Sequence, residues 1–280
     1  GGFAGIETAG ELMDLLLDAR KYYPTIHKED LKVIVLEAMG EILPGFNKKL
    51  ANFAKEKLIE RGIDIKLKKA VTSFDGNEVT IKSLDETPKD SIDQSEIDSI
   101  ITKTLIWTAG VTPVNTIKRS MFKTEKGKLI VNDFLEVTNF PGVFAIGDCA
   151  LFIDPISKRP FPPTAQIAEA QAKIAAKNLI SLIQSSQKEK FVYHSKGQMA
   201  IIGKRSGIAT FLGVNISGFL AWLIWRNVYL SKIPTFDKKI RVLLDWIIDL
   251  FFDRDISRLK LMKREAEKEY KLLDEVDDVW

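Results

Sequence analysis

Apolar residues recur at helical spacing directly after a glycine-rich start. They fall on one face of the segment, at Ile6, Ala9, Leu12, Met13, Leu16 and Leu17. We expect this helix to begin at the glycine turn and to end before Pro24, because a proline disfavours helical backbone in the residue before it. Residues 31–36 (LKVIVL) then form a β-branched run that ends at Glu37, a pattern typical of a buried parallel strand.

The next elements continue this α/β pattern. Residues 47–61 predict a second helix, for which Gly62 is the expected C-terminal cap. Three strand-like pieces follow at 64–68, 70–74 and 78–83, and Asp75-Gly76-Asn77 supplies a hairpin turn between the last two. The polar, acidic stretch 84–99 predicts a surface loop, for which we assign no function. Two further apolar strands are predicted at 100–107 and 143–146, and a long helix at 165–183.

The character of the chain changes after Gly197. Residues 217–229 (SGFLAWLIWRNVY) and 240–252 (IRVLLDWIIDLFF) are rich in Trp, Leu and Ile, and charged residues interrupt both segments. Apolar helical faces with Trp clusters and flanking cations are typical of helices that lie at a membrane surface, although ordinary core helices are the alternative. The tail after residue 254 is highly charged. The expected domains are therefore 1–107, 108–195 and 196–280.

Composition narrows the function without identifying it. The chain has 280 residues, 45% of them apolar, and its net charge of +3 is too small to predict binding to nucleic acid. The single cysteine, Cys149, excludes a disulfide or a CxxC pair within this chain and is expected to be a small buried residue. The two histidines, His27 and His194, lie far apart in sequence, so the sequence does not predict a histidine-based metal site. No apolar run of about 20 residues predicts a membrane-spanning helix.

The first seven residues, GGFAGIE, match the second half of a dinucleotide-binding G-x-G-x-x-G turn. Gly2 and Gly5 fit its second and third glycines, whereas the first glycine and the preceding strand would lie upstream of Gly1. We therefore interpret the chain as the C-terminal part of a longer enzyme. In such a turn the backbone approaches a pyrophosphate at the helix N-terminus. An ordinary tight turn between a strand and a helix is the alternative.

Two carboxylates accompany this turn. Glu37, at the end of the second strand, can accept hydrogen bonds from a ribose 2′-hydroxyl and would repel a 2′-phosphate, which favours NADH over NADPH. A solvated strand-end carboxylate is the alternative. Glu7 is expected in the first turn of the helix, where either the helix dipole stabilises it or a nicotinamide lies against it.

A second group of candidates lies farther along the chain. Gly147-Asp148 follows the predicted 143–146 strand, where Asp148 can bind a polyol hydroxyl or serve only the loop. Residues 162–166 (PPTAQ) then open a helix with Thr164 as its cap. The positive end of that helix can face an electron-rich ring, and a well-capped helix without a ligand is the alternative.

Together these motifs resemble the type II, non-proton-pumping NADH:quinone oxidoreductases. The resemblance covers most of the chain, up to about residue 260. It is carried by the segments GGFAGIETAGEL, VLEAMGEILPGF, IWTAGVTP, GVFAIGDCA and PTAQIAEAQ, and most specifically by residues 196–207 followed by SGFLAWLIW (217–225). It implies an α/β fragment of a Rossmann-like flavoprotein with two dinucleotide-binding domains, followed by an amphipathic, helical, membrane-associating module. It also implies FAD and NADH as cofactors, and NADH and a quinone as substrates.

The resemblance also assigns roles to residues. Gly2, Gly5 and Glu37 would bind NADH, and Glu7 would lie near the nicotinamide as a catalytic residue. The flavin would be bound by Ala109, Gly110, Gly147, Asp148, Ala165 and Gln166, with Gln166 also near the quinone as a catalytic residue. Family members often carry a second glutamine where this chain has Ala170, so the role of the adjacent Gln171 stays open. The family's N-terminal FAD-binding half is missing, so this fragment alone is expected to be inactive.

The family assignment implies a peripheral protein on the cytoplasmic face of the cell membrane, and homodimers are common among its members. Three alternatives remain. A sulfide:quinone oxidoreductase would need a redox cysteine pair, and one cysteine argues against it. A soluble ferredoxin or rubredoxin reductase would not need the Trp-rich segments. A membrane-peripheral interaction protein with a degenerate nucleotide fold would bind no NADH.

Overall fold

The computed structural model describes residues 1–84, 97–155, 158–195 and 197–252. Most of the predicted 84–99 loop and the charged tail lie outside these residues. The chain divides into two compact units, one formed by Gly1–Trp107 together with the chain from Gly197, and the other by Thr108–Lys196. The C-terminal segment thus packs with the first 107 residues, although the whole second unit separates them in sequence.

The first unit begins with the predicted α/β elements. Helix α1 spans Phe3–Arg20, strand β1 Val33–Leu36, helix α2 Lys48–Glu60 and strand β2 Ile63–Lys66. The two strands are parallel, in register from Val33↔Ile63 to Leu36↔Lys66. Both predicted helices are confirmed, and α2 begins where the Asn47 side chain accepts hydrogen bonds from two backbone N–H groups of its first turn. A 3₁₀ turn, Lys28–Asp30, lies in the connection between α1 and β1.

A three-stranded antiparallel sheet follows, made of β3 (Lys69–Phe74), β4 (Glu78–Ser83) and β5 (Ile97–Ile101). The predicted hairpin turn is confirmed, because Asp75 Oδ1 accepts hydrogen bonds from the Asn77 and Glu78 backbone N–H groups at 2.8 Å. The strand predicted at 100–107 is wrong in its bounds. β5 pairs with β4 only from Ile97 to Ile101, and β4 offers no partner beyond Glu78 because the turn precedes it. The apolar run therefore continues without regular structure.

The second unit holds helix α3 (Asn115–Lys118), strands β6 (Thr124–Glu125), β7 (Lys128–Ile130) and β8 (Ala150–Leu151), and helix α4 (Ala165–Ile183). α4 has the predicted bounds. The strand predicted at 143–146 is wrong, because only Phe144 forms a bridge there, with Glu136. Left-handed residues at Asn139 and Gly142 fold the chain back within a few residues, which prevents a longer ladder. A 3₁₀ turn, Gly147–Cys149, follows instead.

The C-terminal part of the first unit contains a sheet that the sequence did not predict. Strands β9 (Gly197–Ile201), β10 (Gly207–Phe211) and β11 (Val214–Gly218) form antiparallel hairpins in the order β11-β10-β9. Helices α5 (Phe219–Lys232) and α6 (Phe236–Phe251) follow and confirm the two predicted helical segments. In the part of the chain that the structure describes, no helix combines the length and the apolar character that crossing a bilayer requires.

The core of the first unit unites its two sequence-distant parts. Its fully buried residues come from α1, α2 and the β1–β2 sheet, and also from the C-terminal sheet through Ala200, Ile202 and Ile208. These three side chains are at most 1% exposed, so the C-terminal sheet closes one side of the core. The N-terminal helix therefore depends on residues nearly two hundred positions later for its burial.

In the second unit, the side chain of Asn178 on α4 bonds to the backbone of two loops. Its side chain is fully buried, its amide nitrogen donates to the Phe134 and Glu189 carbonyl oxygens at 3.0 and 2.9 Å, and its oxygen accepts the Glu189 N–H at 2.7 Å. The buried amide thus satisfies three backbone groups of two loops that cross α4. Backbone groups that lose their partners are costly, so Asn178 contributes to holding both loops, beside the hydrogen bond from the Phe191 N–H to the Asp133 carbonyl oxygen.

We expect Asn178→Ala to lower the free energy of unfolding by about 3 kcal/mol, because it removes a fully buried side chain and three hydrogen bonds to backbone groups. Urea denaturation of the purified protein measures this change. Lys177→Ala is the control, since its exposed ion pair with Glu189 should contribute at most about 0.5 kcal/mol. An equal loss in both variants would contradict the assignment.

Candidate functional site

The N-terminus of α1 is open to a ligand. Its capping residue, Gly2, has no side chain to bond the first turn, and no hydrogen bond among the described residues reaches the N–H groups of Phe3, Ala4 or Gly5. A Cβ on Gly2 would meet no atom within 4 Å, so free space lies in front of these donors. Three free N–H groups at a helix N-terminus, with room before them, fit an anion such as a pyrophosphate.

Glu37 lies beside this opening, at the end of β1. Its Oε1 accepts the Met39 N–H at 2.7 Å, and its Oε2 lies 2.8 Å from the amino nitrogen of Gly1. Burial raises the pKa of the Glu37 carboxyl group, and hydrogen bonds from the Met39 and Ala38 backbone N–H groups oppose this effect. The structure thus brings the glycine turn and the strand-end carboxylate to one edge of the β1–β2 sheet.

Glu7 occupies a different position from the one predicted. It is the fifth residue of α1, so the first turn holds no acidic residue and the helix dipole gives no account of it. Its carboxylate is half-buried and accepts the Ile201 backbone N–H of β9 at 3.0 Å. Burial raises the Glu7 pKa, the Ile201 hydrogen bond lowers it in part, and repulsion from Glu11 raises it again. The net pKa lies above the ordinary value.

Helix α5 also reaches Glu7. Burial raises the pKa of Tyr229 on this helix, and the Glu7 charge raises it further. Tyr229 stacks against Trp225, whose ring centre lies 4.2 Å away. The indole Nε1 of Trp225 is buried and has no hydrogen-bond partner among the residues described. Sequence reasoning missed this neighbourhood of Glu7, because no local pattern links residue 7 to residues 201 and 229.

The Gly147-Asp148 segment offers a second candidate site, in the other unit. Asp148 is exposed, and within the described part of the chain no hydrogen bond or ion pair involves its carboxylate. Gln171 holds this turn in place. Its side chain is 2% exposed, and its Oε1 accepts a hydrogen bond from the Gly147 N–H at 2.7 Å. Gln171 therefore positions the turn. Cys149 is half-buried rather than buried, and its Sγ donates to the Ile146 carbonyl oxygen at 3.1 Å.

The start of α4 lies in the same unit and leaves donors free. Thr164 caps the helix by accepting the Ile167 N–H at 3.4 Å, while the Ala165 and Gln166 N–H groups bond to no acceptor among the described residues. The Gln166 side-chain oxygen accepts a hydrogen bond from the Tyr193 hydroxyl at 3.2 Å, and burial raises the pKa of Tyr193. The free N–H groups fit an electron-rich ring.

The remaining predicted residues have fewer contacts. Ala109 and Gly110 are exposed and lie in a stretch without regular secondary structure at the start of the second unit. The described residues include no group of three His, Cys, Asp or Glu side chains arranged to hold a metal ion. The structure thus brings Gly2, Gly5 and Glu37 together in one unit, and the Gly147–Asp148 turn and the α4 N-terminus together in the other.

We expect Glu7→Gln to raise the free energy of unfolding at pH 8, because the neutral amide keeps an acceptor for Ile201 without a buried charge. The pKa of Glu7 is raised in the folded state, so the wild type gains stability as the pH falls through that pKa. The difference in free energy of unfolding between the variant and the wild type should therefore shrink toward low pH. Urea titrations between pH 4 and 8 measure it. Glu56→Gln, at an exposed position of α2, is the control. Its free energy of unfolding should stay close to that of the wild type over the whole pH range.

Comparison with known proteins agrees with the resemblance drawn from the motifs. The family model for pyridine nucleotide-disulphide oxidoreductases matches residues 1–172, and the NDH2 C-terminal domain model matches residues 195–255. A Dictyostelium discoideum protein named as a probable NADH dehydrogenase is 33% identical over 261 residues, which is 92% of this chain and 54% of the relative. A mitochondrial internal alternative NAD(P)H-ubiquinone oxidoreductase A1 from Arabidopsis thaliana is 29% identical, over 92% of this chain and 51% of its own length.

Among solved structures, NDH2 from Plasmodium falciparum in complex with NADH matches with a TM-score of 0.79 and 18% identity, over 92% of this chain and 66% of that chain. This likeness confirms the α/β fold of a dinucleotide-binding flavoprotein. The chain spans about half the length of the curated relatives it matches. Because the pyridine nucleotide-disulphide oxidoreductase model covers more than half of the residues, the chain belongs to that family.

Proposed function

We propose that this chain is part of a peripheral membrane enzyme that oxidises NADH and reduces a quinone, a type II NADH:quinone oxidoreductase. The observation that carries the proposal is the open N-terminus of α1 beside Glu37. Relatives named as NADH dehydrogenases and as NADH:quinone oxidoreductases support it. The proposed domains are a nucleotide-binding part at 1–107, a flavin-binding part at 108–195 and a membrane-side module at 196–280.

The first unit binds NADH in this proposal. The free N–H groups of Phe3, Ala4 and Gly5 hold the pyrophosphate, since their partial positive charge faces the space in front of Gly2. The Glu37 carboxylate accepts the ribose 2′-hydroxyl and disfavours a 2′-phosphate at the same place. Glu7, farther along α1, lies toward the nicotinamide end.

The second unit binds FAD. Bound FAD would supply the redox chemistry, accepting a hydride from NADH and passing two electrons, with two protons, to the quinone, while the protein supplies position and charge. Asp148 accepts a ribitol hydroxyl with its free carboxylate, in a turn that Gln171 fixes through Gly147. The Ala165 and Gln166 N–H groups stabilise negative charge on the flavin ring. The Tyr193 hydroxyl orients the Gln166 side chain, which we place near the quinone.

Helix α6 provides the membrane contact. Its large apolar side chains form one exposed face with a helical repeat, at Phe236, Ile240, Leu243, Leu244, Ile247, Ile248 and Phe251. An apolar face of this extent, exposed in water, marks an interaction surface. Lys238, Lys239 and Arg241 accompany it and favour the headgroup region of a bilayer. A helix lying in the membrane plane on the cytoplasmic side would give a quinone a path from the lipid.

The activity is tested with the longest polypeptide that the gene encodes, in detergent, with FAD and a short-chain quinone. We expect quinone-dependent NADH oxidation, and much slower oxidation of NADPH. Glu37→Gln should raise the KM for NADH about tenfold while relaxing the preference against NADPH, because it removes the charge that repels a 2′-phosphate.

Glu56→Gln removes an equal charge from an exposed part of α2 and should leave both kinetic constants unchanged. A flavoprotein that ignores quinone and reduces a ferredoxin would indicate a soluble reductase instead. A protein that binds neither flavin nor NADH would support the remaining alternative, a membrane-peripheral interaction protein without enzymatic activity. A Glu37→Gln variant with unchanged cofactor preference would remove Glu37 from the ribose site.

The membrane contact is tested by sedimentation with neutral phosphatidylcholine vesicles. Leu244→Gln combined with Ile247→Gln should weaken binding at least about tenfold, because each leucine- or isoleucine-sized side chain contributes on the order of 1.5–3 kcal/mol when it leaves water. Asp245→Gln, an exposed polar position of the same helix, should bind at least as well as the wild type. Equal binding by the double variant would exclude α6 as the anchor.

A further inference from the structure

One face of α1 packs against the backbone of residues 201–204 rather than against side chains. The face consists of Glu7, Gly10 and Asp14, which helical spacing places in a row. At one end the Glu7 carboxylate accepts the Ile201 N–H at 3.0 Å, and at the other end Asp14 accepts a backbone N–H of the same segment. A helix thus binds the end of a β-strand through two carboxylates about two turns apart, with Gly10 between them.

The glycines allow the close approach between these carboxylates. A Cβ on Gly10 would lie 2.8 Å from the Gly203 backbone nitrogen and 2.8 Å from the Ile202 carbonyl carbon. A Cβ on Gly203 would lie 2.6 Å from Asp14 Oδ2 and 2.7 Å from Arg61 Nη1. Gly203 also has a φ of +97°, which side-chain-bearing residues rarely adopt. A side chain at position 10 would therefore require the backbone to move, whereas one at position 203 would displace the Asp14 and Arg61 side chains and strain its own backbone.

Arg61 completes the contact from a second helix. It caps the C-terminus of α2, and its guanidinium pairs with the carboxylate of Asp14, which is 7% exposed. The Arg61 Nη2 donates to the Lys204 carbonyl oxygen at 2.7 Å, while Asp14 accepts the Lys204 N–H. One ion pair therefore holds both backbone groups of Lys204. A buried pair of this kind is costly to break because one charge is left without its partner.

We infer that the Asp14–Arg61 pair positions Glu7, because it fixes residues 201–204 and so keeps the Ile201 N–H on the Glu7 carboxylate. Arg61 and Asp14 are positioning residues, since neither lies at the open N-terminus of α1. The inference rests on the proposed function for the role of Glu7 at the nicotinamide end. Its structural part, the coupling of the ion pair to Ile201, stands on the contacts alone.

Amide hydrogen exchange tests the structural part in the longest polypeptide that the gene encodes. Arg61→Ala and Asp14→Asn should each speed exchange at the Ile201 and Lys204 amides about tenfold or more, since they remove hydrogen bonds to charged groups. Arg61→Lys should give an intermediate rate, because lysine keeps the charge but cannot bond both partners. Lys57→Ala removes a cation from α2 one turn earlier, outside the contact, and should leave both amides unchanged.

The pH profile of NADH oxidation tests the functional part. The limb that Glu7→Gln abolishes should move to higher pH in Arg61→Ala, because Glu7 loses a hydrogen bond that stabilises its ionised form. Glu11 on α1 and Tyr229 on α5 also face Glu7, and both remain in every variant. Arg61→Lys should restore part of the shift. A loss of activity without a shift would indicate a merely structural role and overturn the inference.

The two hypotheses fail in different ways. A wild type that does not oxidise NADH, yet shows slow exchange at Ile201 that Arg61→Ala speeds, refutes the proposed function and keeps the coupling. A wild type that oxidises NADH, with unchanged exchange in Arg61→Ala and Asp14→Asn, refutes the coupling and keeps the function. If Arg61→Ala does not fold, Asp14→Asn and Arg61→Lys decide, and unchanged Ile201 exchange in both refutes the inference.

Discussion

The first unit depends on the contact between α1 and the turn that follows β9. Gly10 and Gly203 let two backbones approach until side chains cannot fit between them, and Asp14 and Arg61 fill the polar space at one end. This contact holds the C-terminal sheet on the helix that begins at the proposed nucleotide site. The same turn carries Arg205, whose guanidinium donates to the Leu250 carbonyl oxygen at 2.9 Å, near the end of α6.

Residues that act on their sequence neighbours predicted which helices and turns form. The lengths and pairing of the strands depend on partners far away in sequence, and these were not predicted. The bounds of α2 followed from Asn47 and Gly62, and the hairpin turn from Asp75-Gly76-Asn77, because these residues act on their own neighbours. The strand predicted at 100–107 was misplaced because its length depends on where β4 begins. The antiparallel sheet of β9 to β11 was missed because its strands are short, contain glycine and polar residues, and are buried unevenly.

The candidate site shows the same division. Gly2, Gly5, Glu37, Gly147 and Asp148 are predicted from short motifs, since a motif records what a ligand needs from adjacent residues. The surroundings of Glu7 and the role of Gln171 were not found, because each bonds a backbone group far away in sequence, 194 and 24 residues distant. No spacing rule within one helix reveals such a partner. The misplacement of Glu7 in the first helical turn also hid its burial.

Hydrogen bonding separates the residues that hold the fold from those available to ligands. Asn178, Asp14, Glu136 and Gln171 are all buried, and each of these polar side chains has its partners. By contrast, the N–H groups at the starts of α1 and α4 and the Asp148 carboxylate have none among the described residues, although neighbouring polar groups are bonded. Free first-turn N–H groups occur at the start of every helix, and those of α1 and α4 suit the anionic and electron-rich ligands that we propose for them. Glu7 belongs neither to the fully bonded residues nor to the free groups. Burial raises its pKa, and its one backbone hydrogen bond, from the Ile201 N–H, lowers it in part. A movement of residues 201–204 that changes this hydrogen bond would therefore change the protonation of Glu7.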